Sequence, residues 1–503
     1  MIDIKRLPHV FLCLNTILLS MEARAADQVD VKELVRLTCE AVRFPTYAGN
    51  KNALQDQAVW LEKVGKSLGF EVRPAGPVTE IDLKGPVGAP VLGLVVHGDV
   101  VPAEQSDWKF PPFDCTVVNG NLRGRGSSDD KGALAQALVA MSALKRTGQP
   151  LTHTVRLLVG SDEESTGQDM AVYLRDHAPP DYSLVLDLNF PVVVGEKAWN
   201  VLTVKTALTE RQASETAFTV IDLSAGLDPA IVPNRAAITL RLGGSGRPGW
   251  KLLKQKIRSR AVDRGTRMEI VQTESGLKIT VRGKAAHGGA NIENGRNALV
   301  SLARLMDGLL PSGGADDLLA FARLAGRDLY GTGLGLTENY GNWGRYSVNV
   351  ATIERDPQPS TEYALTIVAR RTPPLTGDEL RERLYRLVGE FNSRTGASLK
   401  ASGDFADDPL VLDPHGKLVK KLYSAYVRVT GKKDAPVISG ASSYAKRLPN
   451  SVPFGMWFPG KPVPWHDVDE QIPVADLERG TIILTEVLSD LACGPKLSEP
   501  LKP

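Results

Sequence analysis

The stretch VLGLVVHGDV, residues 91–100, contains the pattern on which the architecture of this chain rests. Val91 to Val96 form a run of apolar and small residues that is typical of a strand buried on both faces of a sheet. His97 follows this run directly. Because open α/β sheets bind ligands at the carboxyl ends of their strands, His97 is a candidate functional residue.

The same arrangement recurs along the chain, with a polar side chain placed at the end of an apolar strand or at the start of a helix. These residues are Asp129 in GRGSSDDKG, Glu163 and Glu164 in GSDEESTG, Asp187 in LVLDLNFP, and His466 in WHDVDE. Apolar strands that alternate with helices indicate a mostly parallel sheet covered on both faces.

These residues suit a pair of divalent cations that share one bridging carboxylate. Asp129 is the candidate bridge. His97 and Asp187 would complete one metal site, and Glu164 and His466 the other. Ligands of this kind, without thiolates, suit Zn²⁺ at both positions, and Co²⁺ or Mn²⁺ are alternatives.

Two further carboxylates have predicted roles beside these ligands. Glu163 is the candidate general base because it adjoins a ligand without being one. Asp99 follows His97 by two residues and could orient its imidazole. Each residue alone has an ordinary structural interpretation, such as a helix cap or a solvated loop carboxylate. The five predicted ligands, taken together at strand and helix ends, favour a metal site.

The character of the sequence changes twice. From Ala198 the strands are amphipathic, and two helices are predicted over 297–310 and 377–391, which indicates an inserted α+β domain. From about Pro409 apolar strands and helices return. We therefore predict an α/β catalytic domain over residues 26–197 and 405–503, with the inserted domain at 198–404.

The N-terminus predicts export from the cytoplasm. Lys5 and Arg6 precede a short apolar segment, residues 10–19, and small residues at 23–25 (Ala-Arg-Ala) fit a signal-peptide cleavage site. Residues 1–25 are thus the predicted signal peptide of a secreted or periplasmic protein. Cys39, Cys115 and Cys493 then remain, and their wide spacing predicts free thiols.

The overall composition excludes some classes of partner. The formal net charge of this 503-residue chain is +2, which gives no support for binding nucleic acid or an anionic membrane. The segment at 10–19 is too short to span a bilayer, so stable membrane insertion is not expected.

The motifs together resemble the di-zinc aminoacylase and dipeptidase family, which includes carnosinase, bacterial dipeptidases, acetylornithine deacetylase and succinyl-diaminopimelate desuccinylase. The matching segments occur in family order over almost the whole mature chain: HGDVVP, DWKFPPF, GRGSSDDKG, DEESTG, GKAAHGG and WHDVDE. The segments DLNFPVVVGEKA and SGASSYAK resemble the dipeptidase branch. The resemblance implies the ligand set given above, Glu163 as acid and base, and a cis peptide bond between Asp129 and Asp130.

The resemblance also implies that the inserted domain is a lid over the site. His287 would stabilise the oxyanion, and Arg371, with Arg370 as its alternative, would bind a substrate carboxylate. Ser439, Gly440 and Ala441 would line the substrate site. The implied substrates are dipeptides or small N-acyl amino acids, and the implied assembly is a monomer or homodimer.

Some positions depart from the family pattern and concern specificity. Ala230 stands where the dipeptidase branch has an asparagine, and the substrate loop is SGAS rather than GG-Thr. A dipeptidase is the leading hypothesis. A carboxypeptidase or N-acyl amino acid deacylase, and a non-catalytic peptide-binding protein, are the alternatives.

Overall fold

The computed structural model of the protein describes residues 28–209, 218–242, 247–274, 276–356, 361–461 and 463–497. The predicted signal peptide lies outside these ranges. Among the helices that are described, none has the length and apolar character needed to cross a membrane.

The described residues form ten α-helices and twenty strands. The helices are α1 (Val31–Val42), α2 (Lys51–Ser67), α3 (Lys131–Thr147), α4 (Gln168–Asp176), α5 (Arg247–Arg258), α6 (Ala298–Met306), α7 (Gly314–Ala325), α8 (Gly377–Thr395), α9 (Lys417–Thr430) and α10 (Val474–Ala492). The strands are β1 (Glu71–Ala75), β2 (Val78–Leu83), β3 (Val91–His97), β4 (Thr116–Val118), β5 (Asn121–Arg123), β6 (Thr154–Gly160), β7 (Tyr182–Val185), β8 (Val193–Glu196), β9 (Ala198–Ala207), β10 (Phe218–Ala225), β11 (Arg235–Leu242), β12 (Arg267–Thr273), β13 (Gly276–Arg282), β14 (Ser347–Arg355), β15 (Glu362–Arg371), β16 (Lys400–Asp404), β17 (Leu410–Val411), β18 (Val437–Ser439), β19 (Ser451–Pro453) and β20 (Gln471–Pro473).

The first large sheet has the strand order β1-β2-β6-β3-β7-β19. The neighbours β6, β3, β7 and β19 run parallel, whereas β1 and β2 add an antiparallel hairpin at one edge. The predicted α/β class is confirmed, and the hairpin is the part of this sheet that the sequence did not predict.

Helix α3 lies at the centre of the helices that pack on the first large sheet. Every residue from Lys131 to Leu144 is buried, and the helix packs against α1, α10 and the sheet. Its sequence, rich in alanine and leucine, has high helix propensity and is apolar on all sides, as expected for a fully buried helix. The loop that leads into α3 carries Asp129, so the buried helix fixes the end of that loop.

The second large sheet is antiparallel throughout, with the order β12-β13-β11-β10-β14-β15-β9-β16. Its strands lie between Ala198 and Asp404, and helices α5 to α8 fall in the same part of the chain. The sequence predicted α6 and α8 but missed α5 and α7, which begin in glycine-containing segments. The exact division of the chain into domains remains a prediction.

Two small sheets join distant segments of the chain. One has the order β17-β8-β18, and the other has the order β20-β5-β4. The second pairs Ile472 with Leu122, which brings the C-terminal segment beside the loop that carries Asp129.

A disulfide joins Cys39 in α1 to Cys115 just before β4, with their Cα atoms 5.0 Å apart. The prediction of free thiols is therefore wrong for these two residues, whereas Cys493 is free. The two bonded cysteines are 76 residues apart in the sequence, and only the fold brings them to bonding distance.

We expect the Cys39→Ser/Cys115→Ser double variant to lose about 2–4 kcal/mol of unfolding free energy, because the bond restricts the unfolded chain. Denaturant unfolding of the oxidised protein and the variant measures this loss. Cys493→Ser is the control and should change the free energy by less than about 1 kcal/mol. Equal stability of the double variant and the oxidised parent would contradict the prediction.

Candidate metal centre

The carboxyl ends of β3, β6 and β7 lie side by side because these strands run parallel. The loops at this edge, the loop before α3 and the segment before α10 carry the predicted residues: His97, Asp129, Glu163, Glu164, Asp187 and His466. The fold thus brings together six side chains from five separate segments.

Asp129 lies between the two histidines. Its Oδ1 is 3.1 Å from Nε2 of His97, and its Oδ2 is 3.5 Å from Nε2 of His466. Asp187 Oδ1 lies 3.7 Å from the His97 Nε2 atom, and Glu164 Oε2 lies 3.0 Å from the His466 Nε2 atom. Each oxygen of Asp129 therefore faces a separate histidine and carboxylate pair, as a bridging ligand requires.

The carboxylates of this cluster pair with the two histidines, His97 and His466. Burial raises the pKa of Asp187 to about 6 and that of Glu164 to about 7. Burial and the charge of Asp187 also raise the pKa of Glu163 well above its usual value. Within the described part of the chain, no lysine or arginine forms an ion pair with these groups. Divalent cations fit such a cluster because they would offset its buried negative charge.

Two sets of three side chains bring their ligand atoms within 4.8 Å of one another. One set is His97, Asp129 and Glu164, and the other is His97, Asp130 and Asp187. Asp130 was not among the predicted ligands, although it adjoins Asp129 in DDKG. Its Oδ2 accepts a hydrogen bond from the backbone N–H of His97 at 3.1 Å. The peptide bond between Asp129 and Asp130 is cis, as predicted.

Asp99 holds two loops of the site. Its backbone oxygen lies 3.0 Å from Nδ1 of His97, and its Oδ1 lies 3.6 Å from the same atom. Its carboxylate also accepts hydrogen bonds from the backbone N–H groups of Glu163 and Glu164, at 3.2 and 3.0 Å. The sequence predicted the contact with the imidazole, but only the structure reveals the hold on the Glu163–Glu164 backbone.

His287 reaches the cluster from the segment after β13. Its ring stacks on that of His466, with centroids 4.6 Å apart. Its Nδ1 accepts hydrogen bonds from the backbone N–H groups of Gly289 and Ala290, both at 2.9 Å. Burial and the neighbouring His466 lower the pKa of His287 well below its usual value. The ring is therefore neutral at pH 7, and Nε2 is the nitrogen that carries the proton.

The predicted substrate loop, Ser439 to Ala441, packs against the His287 loop. A Cβ atom on Gly440 would come within 2.3 Å of the Gly289 carbonyl oxygen, so the two loops touch backbone to backbone. Ser439 Oγ accepts a hydrogen bond from the Ala441 N–H at 3.0 Å, which fixes the turn between them. Glycine at residues 289 and 440 permits this close approach.

The guanidinium of Arg371 donates its hydrogen bonds to other groups of the protein. It is 2% exposed, and its Nε donates to Asn200 Oδ1 at 2.9 Å. Its other donors bind the Leu375 carbonyl, the Asp407 carbonyl at 2.7 Å and Asp408 Oδ1 at 2.6 Å. The geometry argues against the substrate role predicted for Arg371, because these contacts use its guanidinium.

Arg370 has the free donors that Arg371 lacks. It is 2% exposed, lies over the ring of Trp199 at 4.3 Å, and donates to Ser442 Oγ at 3.1 Å. Its Nε has no partner among the described residues and would lie 2.7 Å from a Cβ on Gly289. Burial lowers the pKa of Arg370 to about 10, an effect that the charges of Asp407 and Glu163 oppose. Successive residues of β15 face opposite sides of the sheet, so only one of the two arginines can face the metal cluster.

Comparison with known proteins gives a family match and several relatives. A family model described as Peptidase family M20/M25/M40 matches residues 93–490. "Putative dipeptidase YtjP" of Bacillus subtilis (strain 168) is 26% identical over 408 residues, which cover 80% of this chain and 84% of that protein. "Putative dipeptidase SSP1012" of Staphylococcus saprophyticus is 26% identical over 467 residues, covering 92% of this chain and 96% of that protein.

Solved structures show the same fold. Human carnosine dipeptidase 1 matches with a TM-score of 0.57 and 14% identity, covering 93% of this chain and 98% of that chain. The di-peptidase Dug1p from Saccharomyces cerevisiae matches with the same TM-score, identity and coverage.

Proposed function

This chain belongs to peptidase family M20/M25/M40, and from that premise we propose that it is an exported, metal-dependent dipeptidase. The observation that carries the proposal is the position of Asp129, with one carboxylate oxygen toward His97 and the other toward His466. The relatives named as dipeptidases support the same assignment.

Two Zn²⁺ ions are the proposed cofactors, with Co²⁺ or Mn²⁺ as substitutes. The ligands would be the five predicted residues, and the donor set of imidazole and carboxylate groups suits Zn²⁺. When bound, such a pair of ions would polarise a carbonyl group and would help a water molecule to lose a proton and so become a nucleophile. Asp130 lies close to His97 and Asp187 and so adds a further carboxylate beside the metal site proposed for those two residues.

Glu163 is the proposed general base. Its carboxylate forms no hydrogen bond or ion pair within the described residues, and the backbone of its loop is held by Asp99. It is therefore positioned but free to exchange a proton. The raised pKa of Glu163 suits a group that takes a proton from water and later gives it to the leaving amine.

His287 and Arg370 are the proposed substrate-binding groups. The Nε2–H of the neutral His287 can donate to the oxygen of the carbonyl group as negative charge develops there. The free N–H donors of the buried Arg370 suit a carboxylate at the substrate's C-terminal end. Both groups come from the same chain as the metal centre, so a single subunit provides a complete site.

An N-acyl amino acid deacylase or carboxypeptidase of the same family is the second candidate. Ala230 precedes the turn at residues 231–233, and its backbone oxygen accepts a hydrogen bond from Gly288 N–H at 2.7 Å. Its methyl group offers no hydrogen bond to the amino end of a dipeptide. The absence of this hydrogen bond favours substrates whose N-terminal side is an acyl group.

The proposed location is the periplasm or the exterior of the cell. The predicted signal peptide and the Cys39–Cys115 disulfide support it independently, because disulfides persist mainly in oxidising compartments.

We expect Glu163→Gln to lower kcat for Ala-Ala by about 100-fold or more, because the proton carrier is lost. The metal content, measured on the same samples, should match that of the parent. Glu62→Gln, a partly exposed glutamate on α2, is the control. Persistence of hydrolysis near the parent rate would rule out Glu163 as the base. N-acetylalanine assayed in parallel would favour the deacylase alternative if it is cleaved faster than Ala-Ala.

The same substitution at Arg370 and at its neighbour Arg371 separates a substrate-binding role from a structural role. Arg370→Met should raise KM by about tenfold or more, because a charged hydrogen bond to the substrate is lost. Arg371→Met should leave KM nearly unchanged but lower the unfolding free energy by about 2–3 kcal/mol, because its partners lose their donors. Kinetics and denaturant unfolding of both variants separate the two roles. The opposite pattern would return the substrate role to Arg371.

Expression of the full chain with a C-terminal tag in a Gram-negative host tests the location. We expect the mature protein in the periplasmic fraction, with its N-terminus near Ala26, because small residues precede that position. N-terminal sequencing and thiol labelling measure both properties. An uncleaved cytoplasmic protein with reduced Cys39 and Cys115 would contradict the proposal.

A further inference from the structure

The segment WHDVDE, residues 465–470, contacts four different parts of the site. His466 belongs to the metal cluster, as described above. Asp467 forms an ion pair at 2.9 Å with Lys284, which precedes His287 by three residues. Asp469 Oδ1 accepts a hydrogen bond from the backbone N–H of Lys109 at 2.8 Å. The remaining acidic residue, Glu470, is fully buried and has no role in the metal cluster itself.

The Glu470 carboxylate accepts five hydrogen bonds from the loop that carries Asp129. Oε1 accepts from Ser128 N–H and Ser128 Oγ, both at 2.8 Å, and from Asp129 N–H at 3.2 Å. Oε2 accepts from Arg125 Nη1 at 2.8 Å and from Gly126 N–H at 3.0 Å. The backbone oxygen of Glu470 also accepts from Gly124 N–H at 3.0 Å.

These contacts hold the loop by three backbone N–H groups and two side chains. The loop is rich in glycine and serine, which do not restrict its conformation by their own side chains. Charge-assisted hydrogen bonds to buried N–H groups are short and strong, and the donors would be costly to leave without partners. The position of Asp129 therefore depends on a side chain more than 340 residues away in the sequence.

We propose that Glu470 is a positioning residue that sets the distance between the bridging Asp129 and His466. The inference rests on the metal centre of the proposed function. One short segment supplies both His466 and the side chain that holds Asp129, so the two groups move as a unit. Asp99 holds the Glu163–Glu164 loop through its backbone N–H groups in the same manner.

The Glu470→Gln variant tests this role with almost no change in shape. Its amide NH₂ would replace one oxygen and face N–H or O–H donors, so the contacts on that side become repulsive. The matched control is Glu80→Gln. Glu80 is also buried and accepts hydrogen bonds from Arg73, Arg156 and Tyr173, but it lies on β2, away from the cluster.

Zinc affinity of the metal-free proteins, measured by competition with a chelator, is the deciding quantity. We expect Glu470→Gln to weaken zinc binding by about tenfold or more, as is typical when a group that orients a ligand is lost. Glu80→Gln should bind zinc like the parent, although both variants lose thermal stability. If Glu470→Gln fails to fold, Ser128→Ala removes one of the five donors and should weaken zinc binding by a smaller factor.

Two results would overturn the inference. One is a zinc affinity of Glu470→Gln within twofold of the parent, and the other is an equal loss in Glu80→Gln. The parent's zinc stoichiometry and Ala-Ala hydrolysis, measured on the same preparations, test the proposed function separately. A parent that binds no divalent cation would overturn both, whereas an active zinc-binding parent with an unaffected Glu470→Gln overturns only the role of Glu470.

Discussion

The site depends on buried carboxylates that hold backbone N–H groups. Glu470 binds the loop that carries Asp129, and Asp99 binds the loop that carries Glu163 and Glu164. Loops of glycine, serine and acidic residues have no packing of their own that could fix them at the edge of a sheet. Because buried donors need acceptors, each carboxylate converts a loop into a rigid support for the residues that follow.

The same physical requirement explains the surroundings of Arg371. Arg371 is enclosed by carbonyl groups and Asp408, and it joins β15 to residues 407–408, which lie between β16 and β17. Arg370, its neighbour on the strand, faces the loop at Ser442 and retains free donors. Two adjacent arginines therefore have different surroundings because a strand alternates its faces.

Much of the first large sheet and of the cluster at its strand ends could be predicted, because the sequence patterns that indicate them involve neighbouring residues. The continuous apolar run at residues 91–96 identified β3. The cluster at the strand ends followed from the rule that parallel strands end at the same edge. The helices α5 and α7 were missed because glycine and charged residues obscure their apolar periodicity.

The sequence by itself determined which residue types stand at the strand ends, and hence the metal-binding chemistry, because strand periodicity and motif spacing are properties of neighbouring residues. Only the tertiary structure decided the Cys39–Cys115 bond, the different surroundings of Arg370 and Arg371, and the hydrogen bond from the Asp129 N–H to Glu470. These contacts join residues that are distant along the chain, or depend on the face that a strand presents, and neither property is encoded in local pattern.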